Sequence, residues 1–298
     1  MIQTQQLTKK YGNYFAVNNV SMSVQKGDIY GLIGKNGAGK TTIFKLLMGL
    51  IKPSGGSITF LESYNLEMAR HSIGFMMEDG FFSYLNAHDN LMFAAKLKGI
   101  EDEKEINRIL QLVGLKNSTK TFSTFSTGMK QRLSIGQALL GNPDMVILDE
   151  PTNGLDPQGI ADFRNLVMEL NQKYQTTFLI SSHILGELNL IGTRFGFINK
   201  GYLVQEISAK ELHNNIHQGL IFQVNKLKKA CELLENKLKI TDYRVTKNKE
   251  IILPGYEDRP YIIAKCMVEN GLDLMQLKVN QVSLEEYFLN LIGGNTNV

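Results

Sequence analysis

Along the first two thirds of the chain, short apolar or alternating runs take turns with longer stretches of helical period. Residues 2–7, 20–24 and 28–33 read as strands, 39–49 as a helix, and 57–60 and 71–77 as two further strands. From 86 to 140 the period is helical, which predicts helices over 87–98, 101–113 and 127–140. The runs at 145–148, 177–181 and 195–198 are apolar and rich in β-branched residues, as strands buried on both faces of a parallel sheet are. Pro157 suits the first position of a helix running to 173. Beyond 208 the texture changes to a βαββαβ order, with strands at 220–224, 243–246, 251–254 and 274–277 and helices at 227–238 and 261–270. A last helix would open at Ser283, with Glu286 completing a capping box. The pattern predicts two domains, 1–207 (with a helical subdomain at about 86–140) and a small α/β domain at 208–298.

Composition narrows the class without naming it. The chain has 298 residues, 43% hydrophobic and 20% charged, ordinary values for a globular protein able to bury a sizeable core. A net charge of +3 is too small to argue for nucleic acid or an anionic membrane surface. Cys231 and Cys266 form neither a metal spacing nor a disulfide framework, which predicts a cytosolic setting. The first residues carry no apolar core behind a basic flank, and no run approaches the ~18 apolar residues a membrane span needs. A membrane role is therefore expected to come through a partner.

Two motifs carry chemistry. GKNGAGKTT, from Gly34 to Thr42, fits the phosphate-binding template. Gly34, Gly37 and Gly39 would let backbone N–H groups approach phosphate oxygens, and the following helix would point its positive end at the same anion. Asn36, Ala38 and Thr42 complete the loop, Lys40 would hold the β- and γ-phosphates, and the Thr41 hydroxyl would coordinate Mg²⁺. MVILDE then places Asp149 and Glu150 at the carboxyl end of a buried strand, the sheet edge where ligands bind. Asp149 suits a water-mediated Mg²⁺ contact, and Glu150 can accept a proton from water attacking the γ-phosphate. Without its partner motif, each would read as a glycine turn before a helix or as a strand ending in two solvated acids.

Taken in order, GKNGAGKTT, FSTGMKQRL, DEPTNGLDP and the His183 of LISSH resemble the ATP-binding subunit of ABC transporters over about residues 1–208. The resemblance implies a P-loop ATPase of α/β fold with a helical subdomain and an antiparallel β subdomain, using ATP and Mg²⁺. It makes Ser126, Thr127 and Gly128 a signature that contacts the γ-phosphate held by a second subunit, with Thr127 in place of the family's usual glycine and Met129 in place of its glutamine. Independently, Ser126 caps a helix and offers a hydroxyl and a positive helix end. The resemblance further implies a switch role for His183, a loop between subunits for residues 153–156 including Asp156, and stacking of Tyr11 on adenine. The expected assembly is a head-to-tail homodimer around two ATP molecules, seated on a separate transmembrane permease at the cytoplasmic face.

Glu78 stands where that family usually has glutamine, beside Mg²⁺ and the catalytic acids, and so resembles the branch that exports bacitracin-type or lantibiotic peptides. Phe81, Phe82, Tyr84 and Leu85 would suit a docking surface for a permease helix, or equally plain core packing, and VSLEEYFLNLIGG resembles the closing helix of drug-export ATPases. The function this implies is ATP hydrolysis powering export of an antimicrobial peptide. The alternatives are a soluble ABC-type ATPase acting on ribosomes or DNA, which usually carries two modules or a long coiled-coil insertion, and a generic P-loop kinase or GTPase, which would leave the signature block unexplained.

Overall fold

The computed structural model describes residues 1–60, 70, 72–76, 80–246, 248–281 and 284–293. The expected Glu78 site and the Ser283 half of the capping box lie outside the described residues. The chain divides into two compact units, Met1–Ala209 and Lys210–Val298.

In the first unit, β1 (Ile2–Tyr11) pairs antiparallel with β2 (Tyr14–Val20), β3 (Ser23–Val24) and β5 (Gly55–Phe60). A six-stranded sheet follows, in the order β10 (Tyr202–Ser208), β9 (Arg194–Asn199), β4 (Ile29–Ile33), β8 (Thr177–Ser182), β7 (Met145–Leu148), β6 (Ile73–Phe75). Its pairings are parallel except at β9–β10. The strands β4, β7 and β8 are buried along their whole length, which explains the apolar runs at their centres. Helix α1 (Lys40–Leu47) follows β4 after the loop of residues 34–39 and buries Ile43, Phe44, Leu46 and Leu47 in a core shared with Val17 and Val20 of β2 and Ile147 of β7.

Three helices form the inserted segment: α2 (Ala87–Leu97), α3 (Glu103–Leu112) and α4 (Thr127–Leu139). Their starts are fixed locally, because Asn86, Asp102 and Ser126 each accept a backbone N–H of the first turn. Buried Asn90 grips the preceding loop from α2: its amide donates to the carbonyls of Phe82 and Leu85 and accepts from Phe82 N at 2.8 Å. Helix α5 (Pro157–Tyr174) has proline in its first turn and Asp156 as its cap, and α6 (Leu185–Asn189) follows β8.

The sequence reading missed β2 over 14–19 and the whole of β10. Both are hairpin partners closed by two-residue turns, at Gly12–Asn13 and at Lys200–Gly201, and the latter pair has the positive φ values (47° and 82°) that such turns demand. The short α6 was missed as well, because five residues are too few to display a period.

The second unit begins with α7 (Ala209–Ile216) and places a four-stranded antiparallel sheet in the order β12 (Arg244–Val245), β13 (Ile251–Leu253), β11 (His217–Val224), β14 (Leu274–Gln281). Helices α8 (Leu227–Glu232) and α9 (Pro260–Glu269) fill the crossovers, giving the split βαβ arrangement. The expected helix over 227–238 is interrupted, since residues Leu233–Lys237 turn as a π-helix. Leu220, Phe222, Leu234, Ile251, Leu253, Ile263 and Met267 form this unit's own core, and α10 (Leu284–Gly293) ends it, burying Phe288.

Candidate functional site

The loop between β4 and α1 sets the site. Gly39 sits at φ 111°, where a Cβ would lie 2.4 Å from the carbonyl oxygen of Ala16, so only glycine lets α1 start this close to β2. Lys40, the first residue of α1, is almost fully buried and folds back over the loop. Its Nζ donates to the carbonyl oxygens of Gly34 at 2.6 Å and Lys35 at 3.3 Å. The same ammonium lies 3.0 Å from Glu150 Oε1, a buried oxygen that has no aligned hydrogen bond of its own.

The two acids at the end of β7 are held from three directions. Asp149 accepts Thr41 Oγ1 on one oxygen and Ser181 Oγ on the other, each at 2.5 Å. Ser181 Oγ also accepts the backbone N–H of Glu150 at 2.8 Å, and Gln131 Nε2 donates to the Glu150 carbonyl at 2.9 Å. Glu150 needs these clamps, because its φ of 47° is the left-handed region that a side chain with a Cβ disfavours. That twist turns its carboxylate toward His183, whose Nδ1 lies 2.7 Å from Oε2, while the His183 backbone N–H reaches the same oxygen at 3.3 Å. Glu150 therefore meets a fixed cation on one oxygen and an imidazole on the other.

Above these groups opens a cleft of about 330 Å³, walled by Tyr11, Tyr14, Ala16, Glu150 and the loop and helix residues Asn36, Gly37, Ala38, Gly39, Lys40, Thr41 and Thr42. Volumes of this order suit a small-molecule ligand. Tyr11 and Tyr14 are directly opposed across the hairpin and half-exposed, giving the cleft an aromatic rim. Among the described residues no three His, Cys, Asp or Glu side chains cluster as a metal cage. The Thr41–Asp149 oxygen pair offers two hard donors, so a divalent ion fits here only if most of its shell comes from phosphate and water.

The signature residues form a separate cluster. Ser126 caps α4 by accepting Met129 N–H at 3.3 Å, and Gly128 faces the carbonyl of Gly154. Gly154 has φ 77°, and a Cβ there would meet Thr127 Cγ2 at 2.6 Å, so the 153–156 loop and the start of α4 are fitted to each other. Asp156 spends a carboxylate oxygen on capping α5 through Gly159 N–H at 2.9 Å. Neither Ser126, Thr127, Gly128 nor Asp156 lines the cleft. Sequence reasoning missed Ser181, Gln131 and Tyr14. Ser181 was visible as the first serine of LISSH and Gln131 within the signature block, but their roles depend on contacts across the sheet that spacing does not reveal.

A glycine-rich loop over a helix N-terminus, a buried lysine and a strand-end acid pair define a nucleotide-phosphate-binding P-loop protein. The ABC transporter family profile matches residues 17–153. The chain is 42% identical to the bacitracin transport ATP-binding protein BcrA of Bacillus licheniformis, over 99% of this chain and 98% of the relative. It is 38% identical to the Enterococcus faecalis protein of the same name, over 99% and 97%. The lantibiotic transport ATP-binding protein SrtF of Streptococcus pyogenes is 40% identical, over 72% of this chain and 96% of the relative. Among solved structures, a dimeric bacterial ABC transporter cassette, MJ0796, matches with TM-score 0.64 and 25% identity over 70% of this chain and 99% of that one. The chain belongs to the ABC transporter family, as one of its ATP-binding, ATP-hydrolysing subunits. No helix among the described residues is long and apolar enough to cross a membrane.

Proposed function

We propose that this subunit powers a separate membrane permease that exports an antimicrobial peptide of the bacitracin or lantibiotic kind, working at the cytoplasmic face. The observation that carries this is the near-complete alignment, second unit included, with two proteins named for bacitracin transport. The loop held by Asn90 is the proposed docking surface for the permease. There Phe81 stacks near Phe122 at 5.0 Å, Phe82 meets Phe93 edge-on at 4.8 Å, and Tyr84 stands largely exposed.

In the proposed mechanism the ATP phosphates lie on the 34–42 loop, with the base against Tyr11. The γ-phosphate competes with Glu150 for the Lys40 ammonium, freeing the carboxylate to face the attacking water and accept its proton. His183 holds the other carboxylate oxygen, which supports the proposal that it acts as the switch toward the γ-phosphate. Thr41 and Asp149 would hold Mg²⁺, which when bound neutralises charge on the β- and γ-phosphates. Glu78 is proposed to add a carboxylate to that site. Ser126, Thr127, Gly128 and Asp156 lie off the cleft of their own chain, and this supports their use in trans, completing the site of a second copy head to tail.

The test is resistance. Co-expression of the chain with its adjacent permease gene in a sensitive bacterium should raise the inhibitory concentration of bacitracin or a lantibiotic several-fold, and Glu150→Gln should abolish the gain. Equal sensitivity to both compounds, with or without the pair, would remove the cargo assignment.

A further inference from the structure

Behind the strand ends that carry the acids lies a second, much smaller cavity of about 10 Å³, at the lower limit for one water. It is too small for a ligand and its walls are mostly apolar, with Ile160, Phe163, Ile180, Leu188 and Ile191 among them, but polar side chains reach it at the site's back. Pro151 and Thr152 directly follow Glu150, Ser181 and Ser182 lead into His183, and Arg164 comes from α5. Glu187 comes from α6, four residues after His183. Its Oε2 is buried and has no hydrogen-bond partner among the described residues. An unpaired buried carboxylate oxygen costs free energy, and such groups persist where their strain is used.

We infer that Glu187 and Arg164 form a positioning pair, closing on each other across this cavity to hold the His183 segment against the Glu150 turn during hydrolysis. The pair sits between α6 and α5, so contact between the two side chains draws together the backbones that carry the 2.7 Å Glu150–His183 contact. Neither residue lines the nucleotide cleft, so both act through Glu150 and His183 and leave binding alone.

This rests on the assignment of Glu150 as base, and the experiment separates the two. Steady-state ATPase kinetics of the full chain with Mg·ATP are measured for Glu187→Gln, Arg164→Gln, the double variant, Arg164→Lys and Glu150→Gln, each corrected for folded fraction. Glu187→Gln and Arg164→Gln should each lower kcat about tenfold with KM for ATP within twofold. The double variant should be no worse than either single change, since the second removes nothing further. Arg164→Lys, which keeps the charge, should recover most of the rate. A kcat that is unchanged in either single variant, losses that multiply to about a hundredfold, or a rise in KM as the main effect would each overturn the pairing. Normal turnover in Glu150→Gln would overturn the base assignment together with it. An inactive Glu150→Gln beside a normal Glu187→Gln would overturn the pairing alone.

Discussion

Ser181→Ala isolates the joint that ties the two acids together. The hydroxyl is fully buried, donates to Asp149 at 2.5 Å and accepts the Glu150 N–H at 2.8 Å. A hydrogen bond to a charged carboxylate contributes about 1.5–3 kcal/mol and a neutral one about 1 kcal/mol, so their joint loss should destabilise the first unit by roughly 3 kcal/mol. For a unit of that size this is a fall in Tm of about 6–12 °C. Catalysis should fall too, because Glu150 is held at an unfavourable φ by that N–H contact and by Gln131. If only about 1.4 kcal/mol of the loss reaches the transition state, kcat drops about tenfold. Differential scanning fluorimetry and steady-state ATPase assays read the two effects separately. A Tm within 2 °C of the parent would refute the bond energies. A large Tm loss with unchanged kcat would refute the claim that Ser181 places the base.

Lys40→Ala should abolish hydrolysis and weaken ATP binding at least tenfold by isothermal calorimetry, since it removes the buried charge under the loop. Glu150→Gln should bind ATP normally while turnover nearly stops, and Mg·ATP should then shift the chain to a dimer in size-exclusion chromatography. A truncation to residues 1–209 is expected to melt cooperatively as a folded unit, consistent with the SrtF relative, which aligns over 96% of its own length with only 72% of this chain; aggregation would remove the two-domain division. The Glu105 carboxyl is held below its ordinary range by the Arg108 guanidinium, with the Gly141 N–H adding to the effect and burial opposing it. A depressed folded pKa contributes stability above the unfolded value of about 4.5 that is lost as pH falls, so Glu105→Gln should flatten the acid limb of the Tm–pH curve; an unchanged slope between pH 5 and 3 would contradict this.

What could be read from sequence was what the backbone dictates locally. The loop of GKNGAGKTT is legible because Gly39 must adopt φ 111° against the Ala16 carbonyl, and the helix starts are legible because Ser126 and Asp156 cap them through residues three positions away. The buried strands β4, β7 and β8 announce themselves because both faces are covered and each carries a short apolar, β-branched run, bounded in β8 by Thr177 and by Ser181 and Ser182. The illegible elements were the short helices α6 and α7 and the hairpin partners β2 and β10, whose pairing residues are mixed in polarity because only part of each strand is buried.

The site divides along the same line. Lys40, Thr41, Asp149, Glu150 and His183 sit in motifs, yet the motifs do not say which of them touch. The Thr41–Asp149 contact spans 108 positions of sequence and the Glu150–His183 contact spans 33, and both follow from the parallel order β4–β8–β7, which brings three strand ends to one edge. Ser181 owes its importance entirely to that order, since it joins Asp149 and Glu150 only because β8 lies between β7 and β4. Glu187 follows the same logic one layer further back, where α6 returns toward the Glu150 turn and leaves a carboxylate oxygen buried without a partner. A residue of that kind has no motif to betray it. Its function is a property of the sheet order, so substitution at Ser181 or Glu187 should register in kcat even though neither side chain lines the nucleotide cleft.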